Sequence, residues 1–191
     1  MEVEAGGAVE RAQSGDSDAF RLLVEQHSRA IFRLAFRMTG NEQDAEDVVQ
    51  ETFLRAYRRL SRYEARSSFS TWLYRIASNY ALDLIRIRKR HEEKREQGPR
   101  EGRDILQSLP EAAPGPDRIL YGSQVKDRVN SALDELTAQE RTAFVLRHFE
   151  GLSIEEIGQA LGTGINATKH SIFRAVQKLR RSLEPVVGSA R

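Results

Sequence analysis

The amino-acid sequence predicts an all-α protein in which two small helical domains are joined by a flexible linker. Three observations lead to this prediction. Apolar residues recur every three or four positions along most of the chain, residues that cap helices precede several of these stretches, and one segment rich in proline and glycine interrupts the pattern. No stretch shows the alternation of apolar and polar residues that a half-buried strand requires.

The first predicted domain covers residues 16–94 and contains three helices. Gly40 is placed to end the first helix, Asn41 is placed to cap the second, and a polar loop over residues 61–68 leads to the third. The residues expected to face the core are Phe20, Leu23, Val24, His27, Ile31, Leu34 and Met38 in the first helix, Ala45, Val49, Phe53, Ala56 and Leu60 in the second, and Leu73, Ile76, Tyr80, Leu84 and Ile87 in the third.

Residues 95–118 form the predicted linker. They include four of the five prolines of the chain, so neither a helical nor a strand pattern survives there. A segment of 24 residues reaches at most about 80 Å when extended and typically about 27 Å as a flexible coil. A loop of this length is unusual inside one compact domain, so the helices on its two sides are expected to form separate domains.

The second predicted domain covers residues 119–184. Thr137 with Glu140, and Ser153 with Glu156, have the spacing of a capping box, in which each side chain satisfies the free backbone amide of the other residue. Two glycines follow the helices that these boxes begin, and one further apolar stripe precedes the first box. The glycines are Gly151 and Gly162, and the stripe consists of Val125, Val129, Leu133 and Leu136.

Composition excludes several classes of function. The chain has 191 residues, a formal net charge of +2 and no cysteine, so it contains neither disulfides nor thiolate metal sites, and it suits a reducing cytoplasm. No apolar stretch approaches the roughly 20 residues that a membrane span needs. The four histidines are scattered, and His27 lies on an apolar stripe, which is typical of a core residue. We therefore expect no enzyme activity, no metal and no cofactor.

A helix-turn-helix is predicted over residues 152–181. A short helix from Ile154 to Leu161 is followed by a glycine-containing turn and a longer helix that starts near Asn166. The last 23 residues hold six basic and one acidic side chain. An ordinary amphipathic helix with cations near its C-terminus would fit as well as a DNA-binding helix. The stripe predicted to face inward is Ile172, Val176, Leu179 and Leu183; the residues predicted to face outward or flank that face are Lys169, His170, Ser171, Arg174, Gln177, Lys178 and Arg181.

Two more stretches carry a possible binding surface. On the third helix, Trp72, Arg75 and Asn79 share a face, and an aromatic residue beside arginines can stack an unpaired base. Packing of Trp72 between the domains would explain the same pattern. The second helix is acidic in its first half and basic in its second, which compensates the helix dipole but also leaves Leu54 and Tyr57 for a protein partner.

Together these stretches resemble a small sigma factor of RNA polymerase, of the extracytoplasmic-function (group 4) type in the sigma-70 family. The resemblance is carried by DAEDVVQETFLRAY over residues 44–57, FSTWLYRIASN over 69–79, LTAQER over 136–141 and LSIEEIGQALG over 152–162. It covers most of the chain and includes the order of the motifs and the linker between them.

The resemblance implies a role for each of these stretches. The first would bind core RNA polymerase at the clamp of the largest subunit. The resemblance also implies that the protein contacts the flap of the second-largest subunit. The others would bind the minus-ten and minus-thirty-five elements of promoter DNA. The implied polymerase-binding residues are Asp44, Asp47, Gln50, Glu51, Phe53 and Leu54; the minus-ten residues are Tyr63, Arg66, Ser67, Phe69, Trp72, Arg75, Asn79 and Arg86; the minus-thirty-five residues are Thr168, Lys169, His170, Ser171, Phe173, Arg174 and Lys178.

The expected function is therefore that of a promoter-specificity subunit which also helps to melt DNA, and the resemblance implies an anti-sigma factor as a further partner. One departure concerns residues 168–171, which read TKHS where family members often read VKSR, so any inherited minus-thirty-five sequence is in doubt. Two alternatives remain. A stand-alone helix-turn-helix regulator would need a dimerisation helix, which this sequence does not show, and a pure interaction protein would not need Lys169 or Arg174.

Overall fold

The computed structural model describes residues 2–94, 131–133 and 135–188 of the chain. All regular structure in these ranges is helical, which confirms the predicted all-α class. The linker at 95–118 lies outside the described residues, as do Val125 and Val129. The helices are α1 (Glu2–Gln13), α2 (Ser17–Thr39), α3 (Glu42–Arg59), α4 (Phe69–Lys94), α5 (Ala138–His148), α6 (Ile154–Leu161) and α7 (Ile165–Gly188), with a short 3₁₀ turn at Leu60–Arg62.

Helix ends follow the predicted caps. The side chain of Asn41 accepts the backbone N–H of Asp44 at 2.8 Å, and both predicted capping boxes are formed in full. Gly40 and Gly162 end α2 and α6 with φ of 67° and 65°, in the left-handed region that glycine adopts without strain. Gly151 does not end α5, since that helix stops at His148; Gly151 instead turns the chain toward α6.

Helix α1 was not predicted, because the first residues are acidic and carry few apolar side chains. Val9 and Ala12 are nevertheless buried against the neighbouring helices. At the end of α1 the Gln13 side chain donates hydrogen bonds to the carbonyl oxygens of Leu60 at 2.9 Å and Tyr63 at 2.8 Å. Helix α1 therefore fixes the start of the loop between α3 and α4.

The apolar stripes of α2, α3 and α4 form one core, as predicted. Leu23, Leu34 and Leu73 are completely buried at its centre. Ile87 was expected to face this core but is about half exposed. It lies next to Arg88, which bonds Asp44 in the first turn of α3 at 2.6 Å, so Ile87 sits at the edge where the packed layer ends.

The first helix of the helix-turn-helix has its predicted bounds, while the second begins one residue earlier than predicted and extends to Gly188; close packing fixes the turn between them. A Cβ atom on Gly158 would lie 2.9 Å from the carbonyl oxygen of Thr163, so only glycine allows this approach of α6 to the turn. The Thr168 hydroxyl bonds the Thr163 hydroxyl at 2.8 Å and donates to the Gly164 carbonyl at 3.1 Å. Val176 was expected to face inward, but it is exposed and lines a groove described below.

The N-terminal and C-terminal helices pack against each other, with α5 on α2 and α6 on α4. Leu146 of α5 and Ile157 of α6 join the core of the N-terminal helices, whereas Ala175 and Leu179 of α7 pack with Leu133 and Leu136 in a second cluster. Beside the first core, the buried Glu150 carboxylate binds Arg37 at 3.0 Å and accepts the Tyr74 hydroxyl at 2.8 Å. We call these three residues the interdomain clasp. Nothing in the sequence indicated it.

No helix in the described ranges is both long enough and apolar enough to cross a membrane.

Candidate nucleic-acid interfaces

An aromatic cluster lies where the loop between α3 and α4 joins α4. The ring centroids of Tyr63, Phe69 and Trp72 are 5.0 to 5.6 Å apart, and the His27 ring lies 5.5 Å from Phe69. The Tyr63 hydroxyl donates to the Ser67 carbonyl at 2.6 Å, and burial raises the pKa of that hydroxyl. Phe69 is buried inside the cluster, so the expectation that it contacts DNA directly is not supported; its ring supports the neighbouring ones.

A concave pocket of about 340 Å³ opens beside this cluster, between α3 and α4. It brings together Trp72, Arg75 and Asn79, which were predicted to share a face. Arg55 and Arg59 complete the rim, and sequence reasoning missed both because it assigned them to the helix dipole. Only the packing of α3 beside α4 reveals that five polar or aromatic side chains surround one cavity. We call this cavity the arginine pocket.

The arginines of this pocket differ in how they are held. Arg55 pairs with Glu51 at 2.6 Å, and its guanidinium lies 4.8 Å from the ring centre of Tyr80. Arg59 and Arg75 are exposed, and no carboxylate of the described residues lies within ion-pair distance of them. The pocket therefore presents one cation held by an ion pair and two exposed cations, all beside the partly exposed ring of Trp72. Such a site suits an unpaired base with its phosphates.

The remaining predicted minus-ten residues lie around the pocket without lining it. Arg66 is exposed in the loop and pairs with Glu64 at 2.6 Å, and Arg86 pairs with Asp83 at 3.1 Å one to two turns further along α4. Ala65, which lies between Glu64 and Arg66, adopts a φ of 52°, a left-handed conformation that is uncommon for a residue with a side chain. The exposed part of the loop is thus narrow and sharply turned.

Helix α7 presents a mixed face to solvent. Lys169, His170, Phe173 and Arg174 are all exposed, as predicted for a surface that meets DNA.

Thr168 and Ser171 were also expected on that surface, but both are buried. Thr168 is occupied by its bonds to the turn, and Ser171 lies on the inner side of α7. Because both side chains are buried, we do not expect either of them to contact DNA. A small residue at 171 fits this buried position.

One buried carboxylate contacts the same helix. Glu140, the capping-box residue of α5, accepts hydrogen bonds from Lys178 Nζ at 2.7 Å and lies 3.2 Å from Arg174 Nε. Burial alone would raise the pKa of Glu140, but the bond from Lys178, with the cap at Thr137, outweighs it and lowers that pKa. Glu140 is therefore charged at neutral pH. Sequence reasoning assigned it only the cap.

A second groove, of about 300 Å³, runs along the opposite side of α7 from Arg174 toward α5. Its floor is apolar and its rim is basic. It is lined by Arg147, His148, Ile154, Lys169, Ile172, Phe173 and Val176.

The residues expected to bind polymerase divide into two groups. Asp47, Gln50 and Leu54 are exposed along one side of α3. Phe53 is buried in the core beneath this side of the helix, so the free protein does not present it to a partner. Asp44 is engaged by Arg88.

Glu51 forms an ion pair with Arg55, as Asp44 does with Arg88. Tyr57 extends the exposed side of α3, with its ring 5.0 Å from that of Phe20. In the part of the chain that the structure describes, no cluster of histidine and carboxylate side chains could hold a metal ion.

Comparison with known proteins finds family models that match two separate parts of the chain. The family model described as Sigma-70 region 2 matches residues 23–91, and that described as Sigma-70, region 4 matches residues 126–179. The chain is 38% identical over 165 residues to the ECF RNA polymerase sigma factor SigE of Mycolicibacterium smegmatis, a match that covers 83% of this chain and 59% of that one.

Two further relatives are matched over most of their length. The RNA polymerase sigma-H factor of Pseudomonas aeruginosa is 34% identical, with 95% of each chain covered. The solved structure of the sigma factor RpoE of Bartonella quintana, in complex with the anti-sigma factor NepR, is 27% identical with a TM-score of 0.61, covering 85% of this chain and 93% of that one. The chain belongs to the sigma-70 family and is an RNA polymerase sigma factor of the extracytoplasmic-function type.

Proposed function

We propose that this sigma factor divides promoter recognition between the arginine pocket and the exposed face of α7, and that α3 supplies its contact with core polymerase. The observation that carries the proposal is the arginine pocket, where cations from two helices surround the edge of Trp72. A cavity of this composition suits a base that has left the duplex, because the ring stacks on the base while the arginines hold its phosphates.

For the minus-ten element, the proposed contacts are Trp72, Arg75 and Asn79, with Arg55 and Arg59 added from α3. Asn79 has both a donor and an acceptor in one amide, which can pair with the edge of an adenine. The exposed loop around Arg66 and Ser67 would lie beside the strand. Tyr63 and Phe69 would keep Trp72 in place from behind.

For the minus-thirty-five element, α7 would enter the major groove with Lys169, His170, Phe173 and Arg174 toward the bases and phosphates. Arginine can bind the O6 and N7 atoms of guanine with two parallel hydrogen bonds, which makes Arg174 the main candidate for sequence reading. Phe173 offers an apolar surface that suits a thymine methyl group. Thr168 and Ser171 are not part of this proposed contact.

For the polymerase, the exposed side of α3 offers Asp47, Gln50, Leu54 and Tyr57 as one continuous surface. Its charged end and its apolar end would meet complementary parts of the clamp of the largest subunit. The side of the apolar groove formed by Arg147, His148 and Ile154 would take the flap of the second-largest subunit, which leaves Lys169 and Phe173 to the DNA. We place these contacts within predicted domains at 16–94 and 119–184, with the linker at 95–118 between them.

Further parts of the proposal rest on the relatives. The NepR complex of the Bartonella quintana factor supports an anti-sigma factor as a partner of this chain. We also propose that the protein works in the cytoplasm and performs no catalysis of its own, because its role is to give specificity to the polymerase that does.

Run-off transcription with purified core polymerase on a library of genomic fragments tests the proposal. Adding the protein should create discrete start sites, and the sequences upstream of them define both promoter elements. The variant Arg174→Ala should then lose about 1–3 kcal/mol of binding at one minus-thirty-five position, whereas Arg180→Ala removes the same charge from another face of α7 and should not. Arg75→Ala should weaken binding to a template with an unpaired minus-ten region, and Arg21→Ala on α2 is its control.

Two results would contradict this assignment. Start sites that keep their minus-thirty-five sequence in the Arg174→Ala variant would remove α7 from the reading of that element. A protein that binds duplex DNA by itself and leaves core polymerase unchanged would be a stand-alone regulator.

A further inference from the structure

We propose that Glu140 is a positioning residue for promoter reading: its buried carboxylate holds the side chain of Arg174 in the orientation that meets a base pair. This inference rests on the proposed function of α7. It concerns Glu140, which lies on a different helix, α5, and whose side chain is almost completely buried. The side chain of Glu140 is only 5% exposed, whereas that of Arg174 is 62% exposed.

The two oxygens of Glu140 have separate tasks. Oε2 accepts the backbone N–H of Thr137 at 3.0 Å and the ammonium of Lys178 at 2.7 Å. Oε1 faces Nε of Arg174 at 3.2 Å. Because this contact uses Nε, both terminal amino groups of the guanidinium stay free, and these groups can form two parallel bonds to a guanine. The ion pair therefore draws the guanidinium toward Glu140 without using its outer donors.

The capping box alone does not explain these contacts. Glu156 occupies the equivalent place in the box of α6, accepting the backbone N–H of Ser153 at 2.8 Å, and its further contact is the neutral hydroxyl of Thr71. Glutamine serves as well as glutamate in a capping box, because the box needs an acceptor and not a charge. The negative charge of Glu140 is thus needed only by Arg174 and Lys178.

Holding an arginine before it binds has a physical benefit. A free arginine side chain loses much rotational freedom when it docks on a base, and this loss lowers affinity. Before it docks, the same freedom also lets it reach alternative acceptors. An arginine whose guanidinium plane is already set loses less freedom and accepts fewer alternatives. Glu140 should therefore contribute mainly to discrimination between base pairs and less to overall affinity.

The test compares Glu140→Gln with the matched control Glu156→Gln in polymerase holoenzyme. Both substitutions keep the capping box and remove one charge at the same helix position. Binding is measured to a promoter of this factor and to a set of single base-pair changes across its minus-thirty-five element. We expect Glu140→Gln to lose about 2-fold to 5-fold of discrimination at the position read by Arg174, as for the loss of one partly exposed ion pair, and to leave other positions unchanged. Glu156→Gln should keep the wild-type pattern.

Arg174→Ala and the double variant with Glu140→Gln separate failure of this inference from failure of the proposed function. If Glu140 acts through Arg174, its substitution has no further effect once Arg174 is gone. A normal pattern for Arg174→Ala would overturn the proposed function of α7. Loss of discrimination in Arg174→Ala but not in Glu140→Gln would overturn the positioning role alone, as would equal weakening at every base pair in both glutamine variants.

Discussion

The two proposed DNA surfaces prepare their arginines in different ways. In the arginine pocket, the fixed element is aromatic: Trp72 packs on Tyr63 and Phe69, while Arg59 and Arg75 stay exposed around it. On α7 the element proposed to be held in place is Arg174, whose Nε forms an ion pair with the buried carboxylate of Glu140. An unpaired base offers a flat face, so a rigid ring is the useful preparation there. A base pair inside a duplex offers only its edge, so directed donors are needed.

The interdomain clasp joins the helices that carry one DNA surface to those that carry the other. We expect Glu150→Ala to have the largest effect of the changes considered, because it leaves Arg37 buried with no carboxylate partner and removes the acceptor of Tyr74. Breaking one side of a buried ion pair costs about 3–5 kcal/mol. Here we expect the docked arrangement of the two sets of helices to bear that cost, because their separation would expose Arg37 to water.

Small-angle scattering of the free protein measures this effect as an increase in the radius of gyration. Glu155→Ala is the control, because Glu155 is a glutamate of α6 that is exposed to solvent. An unchanged radius in Glu150→Ala would mean that the apolar contact between the two sets of helices holds them together without the clasp.

The clasp also marks the limit of what the sequence could predict. Both capping boxes, the stop at Gly40 and most of the helix periods are local patterns that were read correctly from residues within a few positions of one another; Ile87 and Val176 are the exceptions. Arg37 and Glu150 are 113 residues apart, and Arg37 lies outside the predicted apolar stripe of its helix. Pairing of this kind depends on how helices dock, which no local pattern contains.

The same limit applies within the candidate sites. Trp72, Arg75 and Asn79 share one helix, so their common face followed from the 3.6-residue period. Arg55 and Arg59 face them from another helix, and were missed. The opposite error occurred at Thr168 and Ser171, where resemblance to a family motif suggested exposed residues. Their burial follows from the close approach of α7 to α6, which Gly158 permits.

A second prediction concerns Trp72, the aromatic residue of the arginine pocket. Trp72→Ala should weaken binding of holoenzyme to promoter DNA with an unpaired minus-ten region by about 1–3 kcal/mol, the usual loss when one stacking partner is removed. Binding to duplex DNA that carries only the minus-thirty-five element should not change. Fluorescence anisotropy with the two labelled DNAs measures both. Trp72→Phe keeps an aromatic face against Tyr63 and should retain most of the affinity, so an equal loss in both variants would point to disturbed packing and not to stacking.

The smallest predicted effect depends on pH and concerns His27, whose ring packs on Phe69 beneath the aromatic cluster. Its Nε2 atom is buried and has no hydrogen-bond partner among the described residues, and burial lowers the pKa of His27 below its ordinary value of 6.5. The folded protein therefore binds this proton less readily than the unfolded chain does. Stability is unaffected above pH 6.5 and falls as the pH drops from there toward the lowered folded value.

Urea unfolding at pH 7.5 and at pH 5.5 tests this, with His27→Gln as the variant that cannot titrate. The carboxylates with lowered pKa, those of Asp16, Glu140 and Glu156, begin to matter only near and below their ordinary values of 3.8 and 4.5, so they contribute little in this interval. The wild type should lose more unfolding free energy than His27→Gln between the two conditions. Because His27 supports only the aromatic side, acid should also weaken binding to the unpaired minus-ten DNA before it affects the α7 contact. Equal weakening of both contacts would show that the two surfaces do not depend on separately prepared supports.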